Sequence, residues 1–157
     1  MDYDVIIAGG GPAGASAAIQ LARGGVRVLL IEQKKFPPAK LCGEFISPEC
    51  QAHFEKLGVA GAMISSGPAL LDETVFYSSK GHHVAVPSKW FGGRAAYGLS
   101  RAVMDEVLLR RAQDVGVVVH EGASITNIAR RSRSTQPAAL ASCRERSTAA
   151  TANVRAW

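Results

Sequence analysis

Six residues near the start of the chain, Gly9-Gly10-Gly11-Pro12-Ala13-Gly14, carry the spacing G-x-G-x-x-G, and an acid, Glu32, follows 18 residues after the last of these glycines. That pattern suits a phosphate. Gly9 permits a tight exit from a strand, Gly11 lacks the Cβ that would hold a pyrophosphate away, and Gly14 lets the next helix lie close to the strand. The start of the helix adds N–H groups without partners and the positive end of its dipole. A carboxylate at the end of the following strand is placed to accept hydrogen bonds from ribose hydroxyls and would repel the 2′-phosphate of NADP. Together these residues describe a cradle for an adenine dinucleotide, with Gly9, Gly11, Pro12, Ala13, Gly14, Glu32 and the adjoining Gln33 as its candidates. The glycine spacing alone does not separate one dinucleotide from another.

The cradle works only if particular elements surround it. Asp4 to Ala8 is a short β-branched run that reads as a buried parallel strand. From Pro12 to about Arg23 small and apolar residues recur at helical spacing, Pro12 suits the first turn, and Gly24-Gly25 stop the helix. Val26 to Ile31 makes a second strand that ends on Glu32, which completes a right-handed βαβ unit. Ser47-Pro48-Glu49 opens a short helix to about Leu57, and Glu73–Tyr77 with His82–Val86 flanks Lys80-Gly81 as a β-hairpin. Ser100 caps an amphipathic helix from Arg101 to about Val115, whose inner face is expected at Val103, Val107, Leu108 and Ala112. Val117 to His120 forms another parallel strand, and a further strand begins at Ile125.

Charge locates a change of character. Residues 1–128 carry 12 Lys and Arg against 12 Asp and Glu, whereas residues 129–157 carry six Arg against the single acid Glu145, so the whole net charge of +5 sits in the last segment. The neutral body argues against a nucleic-acid partner. Residues 129–157 hold eight Ala and seven Ser or Thr with no period of 2 or 3.6. Such a segment cannot offset the entropy of ordering by its own burial, and it is expected to be disordered. Three cysteines, Cys42, Cys50 and Cys143, follow no regular spacing, and no signal peptide is read before them, which points to a reducing cytoplasm. No apolar run reaches the ~20 residues that span a bilayer, while peripheral association with a membrane stays open. The oligomeric state is not encoded in any feature of the sequence.

The pattern Asp4-x-x-Ile7-x-Gly9-x-Gly11-Pro12-Ala13-Gly14 with Glu32 resembles the N-terminus of the two-dinucleotide-fold flavoproteins. Phe36-Pro37-x-x-Lys40-x-Cys42-Gly43 and Leu99-Ser100-Arg101-x-x-x-Asp105 are similar to elements of the geranylgeranyl reductase-like group, relatives of flavin-dependent monooxygenases and halogenases. The resemblance covers residues 3–128. It implies an α/β, Rossmann-like FAD/NAD(P)-binding domain with a parallel sheet and an inserted β-hairpin. It also implies FAD as cofactor, NAD(P)H as a possible electron donor, and an apolar, isoprenoid-like small-molecule substrate. Lys40, Cys42 and Gly43 would lie on the isoalloxazine side, and Arg101 near the pyrophosphate. The plain alternative for Arg101 is a surface pair with Asp105 one turn on. Cys42 serves equally as a small packing residue. Cys50-x-x-His53 lacks a fourth ligand of zinc spacing, His82-His83 suits a solvated strand edge, and Trp90-Phe91 fits either an apolar pocket or a core. No acid or base is assigned.

The group normally continues with further sheet, an alanine-aspartate-glycine turn that contacts the flavin, and a larger substrate domain. Here the chain switches near Ala129 into the Arg/Ser/Ala segment, in a manner that resembles a shifted reading frame or an early stop. The expectation is therefore a truncated FAD-binding domain over residues 1–128, a tail over 129–157, and an oxidoreductase, or the N-terminal portion of one, that by itself binds FAD weakly or not at all and has little turnover. A catalytically silent dinucleotide-binding module and an NAD-dependent dehydrogenase are the competing readings.

Overall fold

The computed structural model describes residues 2–42, 44–128, 139–145 and 149–154. In chain order these form β1 (Asp2–Tyr3), β2 (Val5–Ala8), α1 (Pro12–Arg23), β3 (Val28–Glu32), β4 (Phe45–Ile46), α2 (Cys50–Leu57), α3 (Ala60–Ser65), β5 (Ala69–Leu71), β6 (Glu73–Tyr77), β7 (His83–Pro87), β8 (Ala96–Gly98), α4 (Arg101–Asp114), β9 (Val118–Glu121), β10 (Ala123–Ile128), β11 (Ala139–Glu145) and β12 (Ala149–Val154), with a single 3-10 turn over Ser88–Trp90. The chain divides into two compact units, one of residues 1–38 and 108–157 and one of residues 39–107.

The first unit is built on a parallel sheet in the order β2-β3-β9. β3 is its centre, and all five of its residues are buried, as a strand covered on both faces requires. Leu29 and Ile31 point to one face, where they meet Ala123, Tyr3, Ile6, Val118 and Ile125. Alternation along the strand sends Val28 and Leu30 to the other face. The buried face of α1 carries Ala15, Ala18 and Ile19, two of them small enough to bring a helix axis close to a sheet. Registers of Ile7 with Leu30, Ala8 with Ile31 and Glu32 with Glu121 align the carboxyl ends of all three strands. A second sheet, in the order β1-β12-β11-β10, belongs to the same unit.

That second sheet takes in two stretches of the last segment. Residues 139–145 and 149–154 are strands, antiparallel to each other and, through β11, to β10. Their sequence hides this because a backbone ladder needs no apolar side chain, and Ala, Ser and Thr give no alternation to detect. Residues 129–138, 146–148 and 155–157 lie outside the described residues.

The second unit is richer than the expected hairpin. The β6–β7 pair is present, with Val75 opposite Ala85 and Phe76 opposite Val84. Beside it stands an antiparallel sheet in the order β4-β8-β5, whose strands are only two or three residues long. Phe54, Leu57, Val59 and Met63 of the α2–α3 region are buried. The Gln51 side-chain amide donates to the Ala95 carbonyl at 2.6 Å, and Arg94 pairs with Glu55 at 2.6 Å. α2 begins at Cys50, two residues later than expected, after a turn in which the Cys50 N–H donates to the Ser47 carbonyl. α4 begins in this unit and continues into the first; Leu108 and Ala112 are buried as expected, together with Met104, Asp105 and Leu109, whereas Val103 is exposed and Val107 half-buried. Among the described residues no helix is long and apolar enough to cross a membrane.

Within the first unit Glu121, the last residue of β9, secures the loop that follows β3. Its carboxylate accepts the Phe36 N–H at 2.7 Å and pairs with Arg110 of α4 at 2.6 Å. Burial pushes the Glu121 carboxyl up, but the Phe36 N–H and the Arg110 and Lys35 charges outweigh it, and the group sits below its ordinary value of 4.5. A depressed carboxyl stabilises the fold above its unfolded pKa, and that contribution is lost as pH falls through the folded value. Glu121→Gln is therefore expected to lower the urea midpoint at pH 7, with the gap to the parent closing below about pH 4. An equal gap at both pH values would remove the carboxylate from this role.

Candidate functional site

The glycine turn joins β2 to α1 as the spacing requires. Gly9 has φ +101°, in the region that disfavours a side chain, and its N–H donates to the Ile31 carbonyl at 2.8 Å. Gly11 is the N-cap of α1 with extended backbone, and Pro12 occupies the first turn. No side chain caps this helix, and its first turn carries no acid, so the N–H groups around Ala13 and Gly14 are left for an outside acceptor. Gly14 has a different reason to be glycine. A Cβ there would fall deep inside the contact limit of the Gly9 carbonyl oxygen and 3.2 Å from Ile7 Cγ2. This is the close helix–strand approach assigned to the third glycine.

Glu32 is buried at 7% exposure, and its two oxygens reach in different directions. Oε2 accepts the Gly10 N–H at 2.7 Å, and Oε1 accepts the Lys34 N–H at 2.9 Å. Each carboxylate oxygen keeps a second lone pair, so these bonds orient Glu32 without exhausting it. A cleft of about 340 Å³ opens beside it, lined by Ala8, Gly9, Ile31, Glu32, Gln33, Ala123, Ser124 and Ile125. The last three begin β10 and were not read as cleft residues from the sequence, Ile125 being expected only as the start of a strand. The only signal for them was Gly122, with φ +75°, which turns β9 into β10 and brings that strand to the cleft.

The second unit gathers another set. Asp105 is fully buried and accepts Arg101 side-on, Nε at 2.9 Å and Nη2 at 3.1 Å. Lys40 Nζ lies 3.3 Å from the same carboxylate. Arg101 Nη1 points to Cys42 Sγ at 3.8 Å. The Glu44 backbone N–H and then the Arg101 guanidinium hold the exposed Cys42 thiol below its ordinary value. Glu44 has φ +56°, alone in this among the described non-glycine residues, and its carbonyl accepts the Leu99 N–H. The pairing of Arg101 with Asp105 is thus present, yet it is a partly buried ion pair and not a surface one. Gly43 lies outside the described residues.

The remaining candidates also belong to the second unit. Trp90 is 72% exposed and Phe91 45%, which removes the core alternative. His83 sits at the exposed edge of the hairpin with its ring 5.7 Å from that of Tyr77. Cys50 Sγ contacts Ser47 Oγ at 3.6 Å.

A family described as an FAD binding domain matches residues 2–156. The flavin-dependent halogenase armH1 of Armillaria mellea is 34% identical over 132 residues, 80% of this chain and 24% of that protein. The digeranylgeranylglycerophospholipid reductase of Sulfolobus acidocaldarius is 34% identical over 121 residues, 76% of this chain and 25% of the reductase. The chain spans about a quarter of the length of these two relatives. A geranylgeranyl bacteriochlorophyll reductase-like structure from Thermoplasma acidophilum superposes with a TM-score of 0.78 at 23% identity, covering 99% of this chain and 37% of that one, a likeness of fold.

Gly14→Ala tests the packing reading. The added methyl meets backbone on its near side, which cannot rotate away, so a loss of about 1–3 kcal/mol or more is expected in urea unfolding. Unchanged stability would mean that α1 does not approach β2 as described.

Proposed function

The chain belongs to the FAD binding domain family, and from that premise we propose that it is an FAD-dependent oxidoreductase, or the N-terminal part of one. Its reaction passes hydride or electrons between a reduced donor, NAD(P)H, and an apolar small molecule of isoprenoid type. The observation that carries this is the uncapped α1 start beside a buried, oriented Glu32 at the mouth of a cleft. The residues fit FAD on their own chemistry. The turn leaves N–H donors for a diphosphate, Gly14 has room for no side chain, and Glu32 retains lone pairs for ribose hydroxyls.

In this reading Gly9, Gly11, Pro12, Ala13 and Gly14 receive the pyrophosphate, and Glu32 with Gln33 receives the adenosine half. Lys40, Cys42, Gly43 and Arg101 are assigned to the same cofactor. FAD, when bound, supplies the redox chemistry, and the protein supplies binding, orientation and charge. Arg101 donates to a phosphate oxygen, for which its planar fork is well suited. The name of the Sulfolobus relative supports the isoprenoid class. The free thiols of Cys42 and Cys50 support a reducing, cytoplasmic setting.

Calorimetric titration with FAD, NAD and NADP separates this from the competing dinucleotides. FAD is expected to bind at least about tenfold more tightly than NAD, a difference of about 1.4 kcal/mol, with NADP weakest because Glu32 repels its 2′-phosphate. A preference for NAD or NADP over FAD would overturn the proposal.

A further inference from the structure

We propose that the second unit holds a binding site for a small zwitterion, an α-amino acid with a short apolar side chain, anchored by the buried hydroxyl of Ser88. The site is independent of the FAD reading above.

A cleft of about 370 Å³ is lined by Asp72, Pro87, Ser88, Lys89, Arg94 and Ala95, together with Gly93. All of these residues belong to the second unit. The volume is room for about a dozen waters at about 30 Å³ each, and it lies at the lower end of the range of small-molecule sites.

The loop that forms the cleft is closed by its own backbone. The Ser88 N–H donates to the Asp72 carbonyl at 2.7 Å, the Phe91 N–H to the Ser88 carbonyl at 3.0 Å, and the Gly93 N–H to the Lys89 carbonyl at 2.8 Å. Gly92 and Gly93 take positive φ, +103° and +75°, which turns the chain without help from a side chain. The Ser88 hydroxyl contributes to none of these bonds. Ser88 is 2% exposed, and its Oγ has no hydrogen-bond partner among the described residues. A buried polar atom left in this way is unfavourable, and alanine would close the same loop without it. A partner from outside the protein explains the hydroxyl.

The charges of the cleft say what that partner carries. Arg94 is paired with Glu55 at 2.6 Å, so its charge is compensated. Asp72 and Lys89 are exposed, and neither side chain takes part in an ion pair among the described residues. An unmatched carboxylate and an unmatched ammonium on one cleft cancel in net charge, so a simple anion or cation gains from one and loses to the other. A molecule that carries both charges gains from both. Lys89 and the Ser88 hydroxyl donate to its carboxylate, Asp72 accepts from its ammonium, and Pro87 and Ala95 leave room for a short apolar side chain.

L-Valine and its two singly charged counterparts, 3-methylbutanoate and 2-methylpropylamine, test this on the full chain by nitrogen-15 correlation spectra. L-Valine is expected to shift the Lys89, Gly93 and Ala95 amides with a Kd of about 1 mM, and each counterpart to bind at least about tenfold more weakly. Ser88→Ala is expected to weaken L-valine about fivefold while the melting temperature stays level or rises, because no bond within the protein is lost. Asp72→Asn is expected to bring L-valine and 3-methylbutanoate within about twofold of each other. A spectrum unmoved at about 10 mM L-valine would overturn the proposal and leave the hydroxyl to ordered water. Equal affinity of the parent chain for L-valine and 3-methylbutanoate would overturn it as well, as would Ser88→Ala with a lowered melting temperature and unchanged affinity. The ligand series is read on the parent chain, so it decides the outcome even where a variant fails to fold.

Discussion

One hydrogen bond organises the first unit around its site: the Gly10 N–H donating to Glu32 at 2.7 Å. It joins the glycine turn after β2 to the end of β3, so the position of the phosphate cradle is set by the neighbouring strand. The bond is available only because the two strands are parallel and in register, with Ala8 beside Ile31. That register depends in turn on β3 being buried on both faces and on α1 lying close enough to touch Gly9 at Gly14. A buried carboxylate left without these donors would carry a cost of about 1–3 kcal/mol for each unmet bond. The acid thus has a structural duty to the turn, and its remaining lone pairs are what a ribose can use.

The second unit handles charge in the opposite manner. Glu32 is an acid satisfied by backbone amides, whereas Asp105 is an acid paired with the side chains of Arg101 and Lys40. Each carboxylate is oriented by contacts within its own unit.

Much of the first unit was legible because each signal had a single physical cause. The glycines at positions 9 and 14 are required by a positive φ and a close backbone approach, and the strands around them are unbroken aliphatic runs. The inner face of α4 was legible at Leu108 and Ala112 but not at Asp105, because a pattern of apolar residues cannot register a buried acid. The sheet of β4, β5 and β8 was missed because strands of two or three residues are too short to show alternation. The strands over 139–145 and 149–154 were not read from the sequence because Ala, Ser and Thr make up much of both and give no clear alternation. Ser124 was unreadable as a cleft residue, since its place depends on how β10 returns past β3.

The claim that the turn and Glu32 together take the adenine half of FAD can be tested on the amides themselves. In a nitrogen-15 correlation spectrum titrated with FAD, the resonances of Gly10 and Lys34, whose N–H groups hold the Glu32 carboxylate, are predicted to shift together with those of Ala13, Gly14 and Ser124. A titration in which FAD binds while these five stay in place would contradict it.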